Sequence, residues 1–127
     1  MKKLKPISKL KKQADAVFSK WIRERDQGIC YTCGIKKPVK EMQNGHYMSR
    51  NHTNTRYSEK NCHCQCVACN MFRSGNMQLY AIKLETQYGQ GILKELFREA
   101  HTLKKCNREF LNNIIKKYDE PTTTTAD

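Results

Sequence analysis

The chain has 127 residues, enough for one domain with one modest core. Its 24 lysines and arginines against 12 acids leave a formal charge of +12, which points to a polyanionic partner, nucleic acid before anionic membrane, and says little about fold. No apolar run approaches a membrane span and no secretory leader follows the basic N-terminus, so a cytoplasmic protein with no membrane role is expected.

Residues 1–8 form a basic arm, with Lys2, Lys3 and Lys5 ahead of Lys9, Lys11 and Lys12, and Pro6 keeps its first residues out of a helix interior. The arm reads equally as a solvated terminus and as a phosphate-contacting segment. A helix is predicted over about 9–27, capped near Ser8. Leu10, Ala14, Val17, Phe18, Trp21 and Ile22 recur there at three- and four-residue spacing, Trp21 is expected as a core anchor, and Gly28 ends the pattern. Residues 36–47 read as a loop passing into a strand, punctuated by Pro38 and Asn44-Gly45. Residues 48–55 read as a polar loop and 55–58 as a second short strand. Three amphipathic helices are predicted over 76–88, 92–104 and 108–118. Residues 119–127, with Pro121 and four threonines, read as a disordered tail. Residues 1–118 form one domain on this reading, with its core at 30–76.

That core is bracketed by Cys30-Tyr-Thr-Cys33-Gly34 and Cys66-Val-Ala-Cys69-Asn70. Two C-x-x-C turns supply the four thiolates of a closed tetrahedral zinc site, and Gly34 suits the tight turn after the second sulfur. A disulfide pair or a redox motif fits less well, because a cytosolic chain keeps its thiols reduced and a redox motif needs only one pair. Cys30, Cys33, Cys66 and Cys69 are therefore the expected structural Zn²⁺ ligands, and Cys62, Cys64 and Cys106 are left over. An insert of this size would be marginal without such a staple.

Within the insert, His46 is the natural base for activating water near neutral pH. Asn61 is an amide that could orient its imidazole. Asn70 directly follows the last sulfur and offers an oxygen suited to Mg²⁺. Gly45-His46-Tyr47, Asn61-Cys62-His63 and Cys66-x-x-Cys69-Asn70 with Ser74-Gly75-Asn76 beyond together resemble the HNH nucleases, and more closely the NinG (Rap) family of lambdoid-phage recombination proteins. The resemblance runs from about Phe18 to Leu96. It implies an α+β fold: a zinc-stapled ββα-metal (HNH) finger flanked by an N-terminal helix and a C-terminal helical segment. It also implies an endonuclease dependent on Mg²⁺ or Mn²⁺ that acts on branched DNA such as D-loops and Holliday junctions. By position, His46 matches the general base, Asn61 the residue that orients it, and Asn70 the ligand of the catalytic metal.

Many HNH members carry aspartate just before the first histidine, where this chain has Gly45. Either Asn70 holds the ion with waters and DNA phosphate, or Asn44, Glu59 or His63 supplies the missing ligand. Arg50, Arg56 and Arg73 flank the expected site and are the candidate DNA-binding residues, whereas Lys104-Lys105 and Lys116-Lys117 read as ordinary helix surface. Nothing resembles a base-reading helix, so recognition by DNA shape is expected. Symmetric cutting of a four-way junction would take two active sites, which makes a homodimer attractive. The rival reading is a non-enzymatic zinc module that binds DNA as a recombination accessory factor.

Overall fold

The computed structural model describes residues 3–119. In chain order the elements are α1 (Ile7–Arg25), a 3₁₀ turn (Val39–Glu41), β1 (Gln43–His46), α2 (Thr53–Arg56), β2 (Cys62–Gln65), a π-helical turn (Ala68–Phe72), α3 (Met77–Tyr88), α4 (Ile92–Ala100) and α5 (Arg108–Tyr118). The architecture is α+β, with a two-stranded antiparallel sheet between two helical layers. Residues 120–127, most of the expected tail, lie outside the described residues.

α1 begins at Ile7, one residue before the expected cap, because Pro6 supplies a suitable φ and its carbonyl accepts the first helical N–H groups. Leu10, Ala14, Phe18 and Ile22 recur every four residues and form its buried stripe. That stripe packs on Leu111 and Tyr118 of α5, with Phe18 edge-on to Tyr57 and Tyr118. Trp21 is partly buried and meets Tyr118 edge-on at 5.0 Å, as a core anchor should. The helix ends at Arg25, short of the expected residue 27, and the chain turns away through Gly28, where a φ of +70° and a backbone oxygen of Lys37 only 2.3 Å from any added Cβ leave room for glycine alone.

The hairpin pairs Gln43 with Gln65, Asn44 with Cys64, Gly45 with His63 and His46 with Cys62. Strand alternation therefore sets Asn44, His46, Cys62 and Cys64 on one face, and Gly45, His63 and Gln65 on the other. Cys62 joins the α1–α5 core. His63 meets Tyr31, Tyr80 and Tyr88 beside a second core built from Tyr80 and Leu84 of α3 and Ile92 and Leu96 of α4.

Two expectations are corrected. The second strand is not at 55–58, where the chain forms the helical turn α2, but at Cys62–Gln65. Its four residues have no apolar alternation, yet all are buried, because both faces of β2 are covered. The helix predicted to reach residue 104 ends at Ala100. Asn54 Nδ2 donates to the carbonyls of Glu99 and Thr102 there, satisfying orphaned helix-end acceptors. Leu103, read as part of an apolar face, is 99% exposed.

Candidate metal centre and adjoining cleft

The two knuckles bring Cys30, Cys33, Cys66 and Cys69 together, with all four sulfurs within 4.8 Å of one another. Cys33 Sγ lies 3.7 Å from Cys66 Sγ. A tetrahedral zinc with Zn–S bonds of 2.3 Å requires sulfur–sulfur edges of about 3.8 Å. In each knuckle the second cysteine's N–H points at the first sulfur, from Cys33 to Cys30 at 3.5 Å and from Cys69 to Cys66 at 3.4 Å. Thr32 Oγ1 also lies 3.4 Å from Cys30 Sγ, and Asn76 Nδ2 donates to Cys69 Sγ at 3.7 Å. Donors to the Cys30, Cys66 and Cys69 sulfurs would support the charge of metal-bound thiolates, and this donor set fits a closed structural zinc site. The remaining cysteines are elsewhere. Cys62 donates to the Thr55 and Arg56 carbonyls, Cys64 is buried with Met42 beneath the knuckles, and Cys106 packs on the α1–α5 core.

Beside this centre a cleft of about 610 Å³ opens between α1 and the hairpin, lined by Asp15, Ser19, Arg23, Asn44, His46, Arg50, Arg56, Asn70 and Met71 among others. His46 Nε2 lies 2.9 Å from the Arg56 carbonyl. A carbonyl can only accept, so Nε2 carries the proton, and in the neutral ring Nδ1 holds the lone pair. Burial, helped by the Arg50 and Arg56 charges, holds the imidazole below its usual pKa against the opposing pull of the carbonyl. The ring is thus an unprotonated base at neutral pH.

Arg56 is itself clamped. Its Nε donates to Asp15 Oδ1 at 2.9 Å and its Nη2 to Asp15 Oδ2 at 2.5 Å, while the Tyr57 hydroxyl donates to Asp15 Oδ1 at 2.8 Å. Burial alone would raise the Asp15 carboxyl, but the guanidinium and the phenol outweigh it and hold it below the usual carboxylate range. Its Nη1 also donates to the Arg50 carbonyl. With its side chain 13% exposed, Arg56 braces the loop that carries the His46 acceptor rather than reaching for solvent.

Asn61, expected to hold the imidazole, instead holds the loop. Its Oδ1 accepts from the Met48 N–H at 2.8 Å, and its Nδ2 donates to the Met48 and Thr55 carbonyls. Its influence on His46 therefore runs through residues 48–56. Asn70 lines the cleft and donates Nδ2 to Gln43 Oε1 at 2.7 Å, which leaves its own Oδ1 for a cation. Arg50 is exposed at the cleft. Arg73 is exposed but is not among the residues lining it.

Of the alternatives for a further ligand, only Asn44 shares the cleft with His46. Its Oδ1 is buried and has no hydrogen-bond partner among the described residues. Glu59 accepts from Tyr118 Oη at 2.7 Å and lines a different pocket. His63 is stacked on Tyr31 at 3.8 Å, with its nitrogens 3.2 Å from the Tyr80 and Tyr88 hydroxyls, and burial drives its pKa down to about 3. It is a neutral core residue. Gly45 also has a structural reason: an added Cβ would lie 1.9 Å from Gln65 Oε1. Gln65 cannot readily yield, because its Nε2 bonds Thr32 Oγ1 and the Gly75 carbonyl.

Comparison with known proteins now bears on this arrangement. A family model described as the bacteriophage lambda NinG protein matches residues 1–126. The chain belongs to the NinG family. It is 35% identical to protein ninG of Escherichia phage lambda over 109 residues, covering 81% of this chain and 53% of that protein. It is 35% identical over 119 residues to protein ninG of Escherichia phage 933W and 36% identical over 119 to that of Salmonella phage P22, each time covering 92% of this chain and 58% of the relative. The chain thus spans a little over half the length of these curated relatives. No solved structure matches it.

Two charged residues of this NinG-family cleft escaped the sequence reading, Asp15 and Arg23. Both sit on α1, which reads as a core helix when only its apolar stripe is considered. Asp15, Ser19 and Arg23 recur every four residues, however, and form a polar stripe alongside the apolar one. Arg23 is held there by Ser19 and by the Val39 carbonyl at 2.9 Å.

Proposed function

We propose that the chain is a metal-dependent endonuclease of the HNH, ββα-metal kind that hydrolyses phosphodiesters in branched DNA such as D-loops and Holliday junctions. The observation that carries this reading is His46. Its Nε2 proton is committed to a backbone carbonyl, which makes Nδ1 a base, in a cleft with an exposed arginine and available amide oxygens. The order β1, β2, α3, with cysteine pairs at both ends of the hairpin, supports the ββα resemblance.

The cleft fits a catalytic Mg²⁺ or Mn²⁺ through neutral donors. The unpartnered Asn44 Oδ1 and the Asn70 amide are suitable hard oxygens. Among the described residues lining the cleft the one acid is Asp15, and Arg56 and Tyr57 occupy both its oxygens. Substrate phosphate would supply the negative charge such an ion needs.

In the mechanism we propose, His46 Nδ1 takes a proton from water, and the hydroxide attacks phosphorus in line with the departing 3′ oxygen. Arg50 contacts the flanking backbone, and the braced 48–56 loop keeps the imidazole aimed. Asn44 and Asn70 would hold a divalent cation, which would supply charge neutralisation at the reacting phosphate, and the departing 3′ oxygen takes a proton from solvent. The ends produced are 5′-phosphate and 3′-hydroxyl. Symmetric junction cutting would be performed by a homodimer in the host cytoplasm.

The test is cleavage of labelled duplex, three-way and four-way junction DNA by zinc-loaded protein and by His46→Ala, with Mg²⁺, with Mn²⁺ and with neither ion added. Metal-dependent nicking near the branch point is expected of the unaltered protein, reduced about 10²–10⁴-fold in His46→Ala. Full activity in the variant would end the assignment of His46. Tight, salt-sensitive binding of every substrate without cutting would select the second reading, a zinc-containing accessory factor. The engagement of Asp15 is the observation that favours that alternative.

A further inference from the structure

The last sulfur, on Cys69, sits within the π-helical turn Ala68–Phe72, and beyond Arg73 come three consecutive residues with positive φ, Ser74 at +49°, Gly75 at +88° and Asn76 at +50°. Two of these are not glycine. A π-turn followed by such a run is costly backbone, and it persists only where the surroundings hold it. Here they do. The Gly75 N–H donates to the Cys69 carbonyl at 2.9 Å, the Gly75 carbonyl accepts from Gln65 Nε2 at 2.9 Å, and Asn76 Nδ2 is tied to Cys69 Sγ.

What this held backbone presents is apolar. Met71 is 61% exposed and Phe72 83% exposed. A single exposed apolar side chain needs no explanation, but these two are adjacent, on a turn anchored at both ends, with exposed Arg73 next in sequence. Met71 is also coupled to the cleft. Met71 lines it, and its sulfur accepts from Gln43 Nε2 at 3.5 Å, while Gln43 Oε1 accepts from Asn70.

We propose that Met71 and Phe72 form a wedge that stacks against nucleobases at an unpaired or loosely stacked step of DNA lying in the cleft. This rests on the reading that DNA occupies the cleft. The occupant is argued from charge and shape. A chain of net charge +12 with Arg50 at the cleft and Arg73 beside the wedge draws a polyanion to this edge. The part of a polyanionic nucleic acid that an exposed phenyl ring can bind is the face of a base. An apolar wedge also enters most cheaply where stacking is already broken, so it would favour branch points over continuous duplex. No base-specific hydrogen bond is involved, in keeping with recognition of shape.

The experiment uses the zinc-loaded full chain in buffer free of Mg²⁺, Mn²⁺ and chelator, so that no cutting intervenes and the zinc stays in place. The probe is 2-aminopurine placed at the branch point of a three-way junction, with a matched duplex as control. Binding of the unaltered protein should raise 2-aminopurine fluorescence in the junction. Phe72→Ala should abolish the rise and weaken junction binding roughly 5- to 150-fold, with a smaller loss on duplex. Phe72→Trp should retain both. Zinc content and circular dichroism of each variant establish that the turn has folded. A folded Phe72→Ala variant that keeps the fluorescence rise and the junction preference would overturn the wedge and leave DNA binding intact. A variant that binds DNA normally but loses self-association in sedimentation would also overturn it, making the patch a protein contact. Absence of DNA binding by the unaltered protein at low salt would remove the cleft reading itself.

Discussion

Asp15→Asn is the most informative single change, because it separates bracing from chemistry. In the native chain the Asp15 carboxylate accepts two bonds from Arg56 and one from Tyr57. The amide keeps the shape but loses the charge, and its NH₂ must face a donor on at least one side. Removing one partner of a fully buried ion pair costs about 3–5 kcal/mol. Here the side chains are 26% and 13% exposed, and the amide oxygen can still accept, so a loss of about 2 kcal/mol is expected. For a domain of this size that is a fall in Tm of roughly 8 °C. The functional consequence is a different quantity. Arg56 braces the loop whose carbonyl fixes the His46 tautomer, so a loosened loop misplaces the base, and displacements of about 1 Å can cost about 10²-fold in rate. DNA affinity should hold or rise, because the cleft loses an acid and Arg56 is freed. The assays are thermal melting, junction binding without added Mg²⁺ or Mn²⁺ and single-turnover cleavage in Mg²⁺. A variant that melts within 0.5 °C or so of the native protein would refute the clamp. A variant that melts lower but cuts at the native rate would refute its link to His46.

The other predictions concern the metal, the base and the hairpin. Cys66→Ser should lose zinc and unfold the hairpin, whereas Cys106→Ser should keep one zinc per chain; equal stoichiometry by elemental analysis would contradict the assignment of ligands. Since His46 acts unprotonated and burial lowers its pKa, cleavage should rise with pH along a limb whose midpoint lies below the ordinary imidazole value of about 6.5, and then level off. A midpoint above pH 7 in the pH–rate profile would be incompatible with a desolvated base. Gly45→Asp should not improve metal use. It drives a side chain into Gln65 and should destabilise the fold by about 1–3 kcal/mol in urea titration, and a stable variant with higher activity would show that the packing argument is wrong.

Much of the architecture is legible in residue order because it depends on local pattern. The four-residue recurrence of Leu10, Ala14, Phe18 and Ile22 is enough for α1, and similar periodicity places α3 and α5 within a residue of their bounds. The cysteine pairs declare their centre by spacing, since two C-x-x-C turns leave each sulfur one place to point. His46 and Asn70, singled out in the sequence as chemical groups, line one cleft in the fold.

β2 was not legible, because Cys-His-Cys-Gln has no alternation and becomes a strand only when β1 and two helical layers close around it. The same applies to the partners of polar groups. Whether Asn61 meets an imidazole or a backbone loop, and whether Arg56 faces solvent or a carboxylate 41 residues away, depends on tertiary approach. Gly45 carries the point furthest. In the sequence it stands where a ligand is missing; in the fold it is where Gln65 must pass. Local sequence determined the long helices α1, α3 and α5 and the four-cysteine cluster, through periodicity and chelate spacing. Tertiary structure alone decided which polar groups are clamped and which remain free for chemistry, because hydrogen bonds between distant segments exist only after packing brings those segments together.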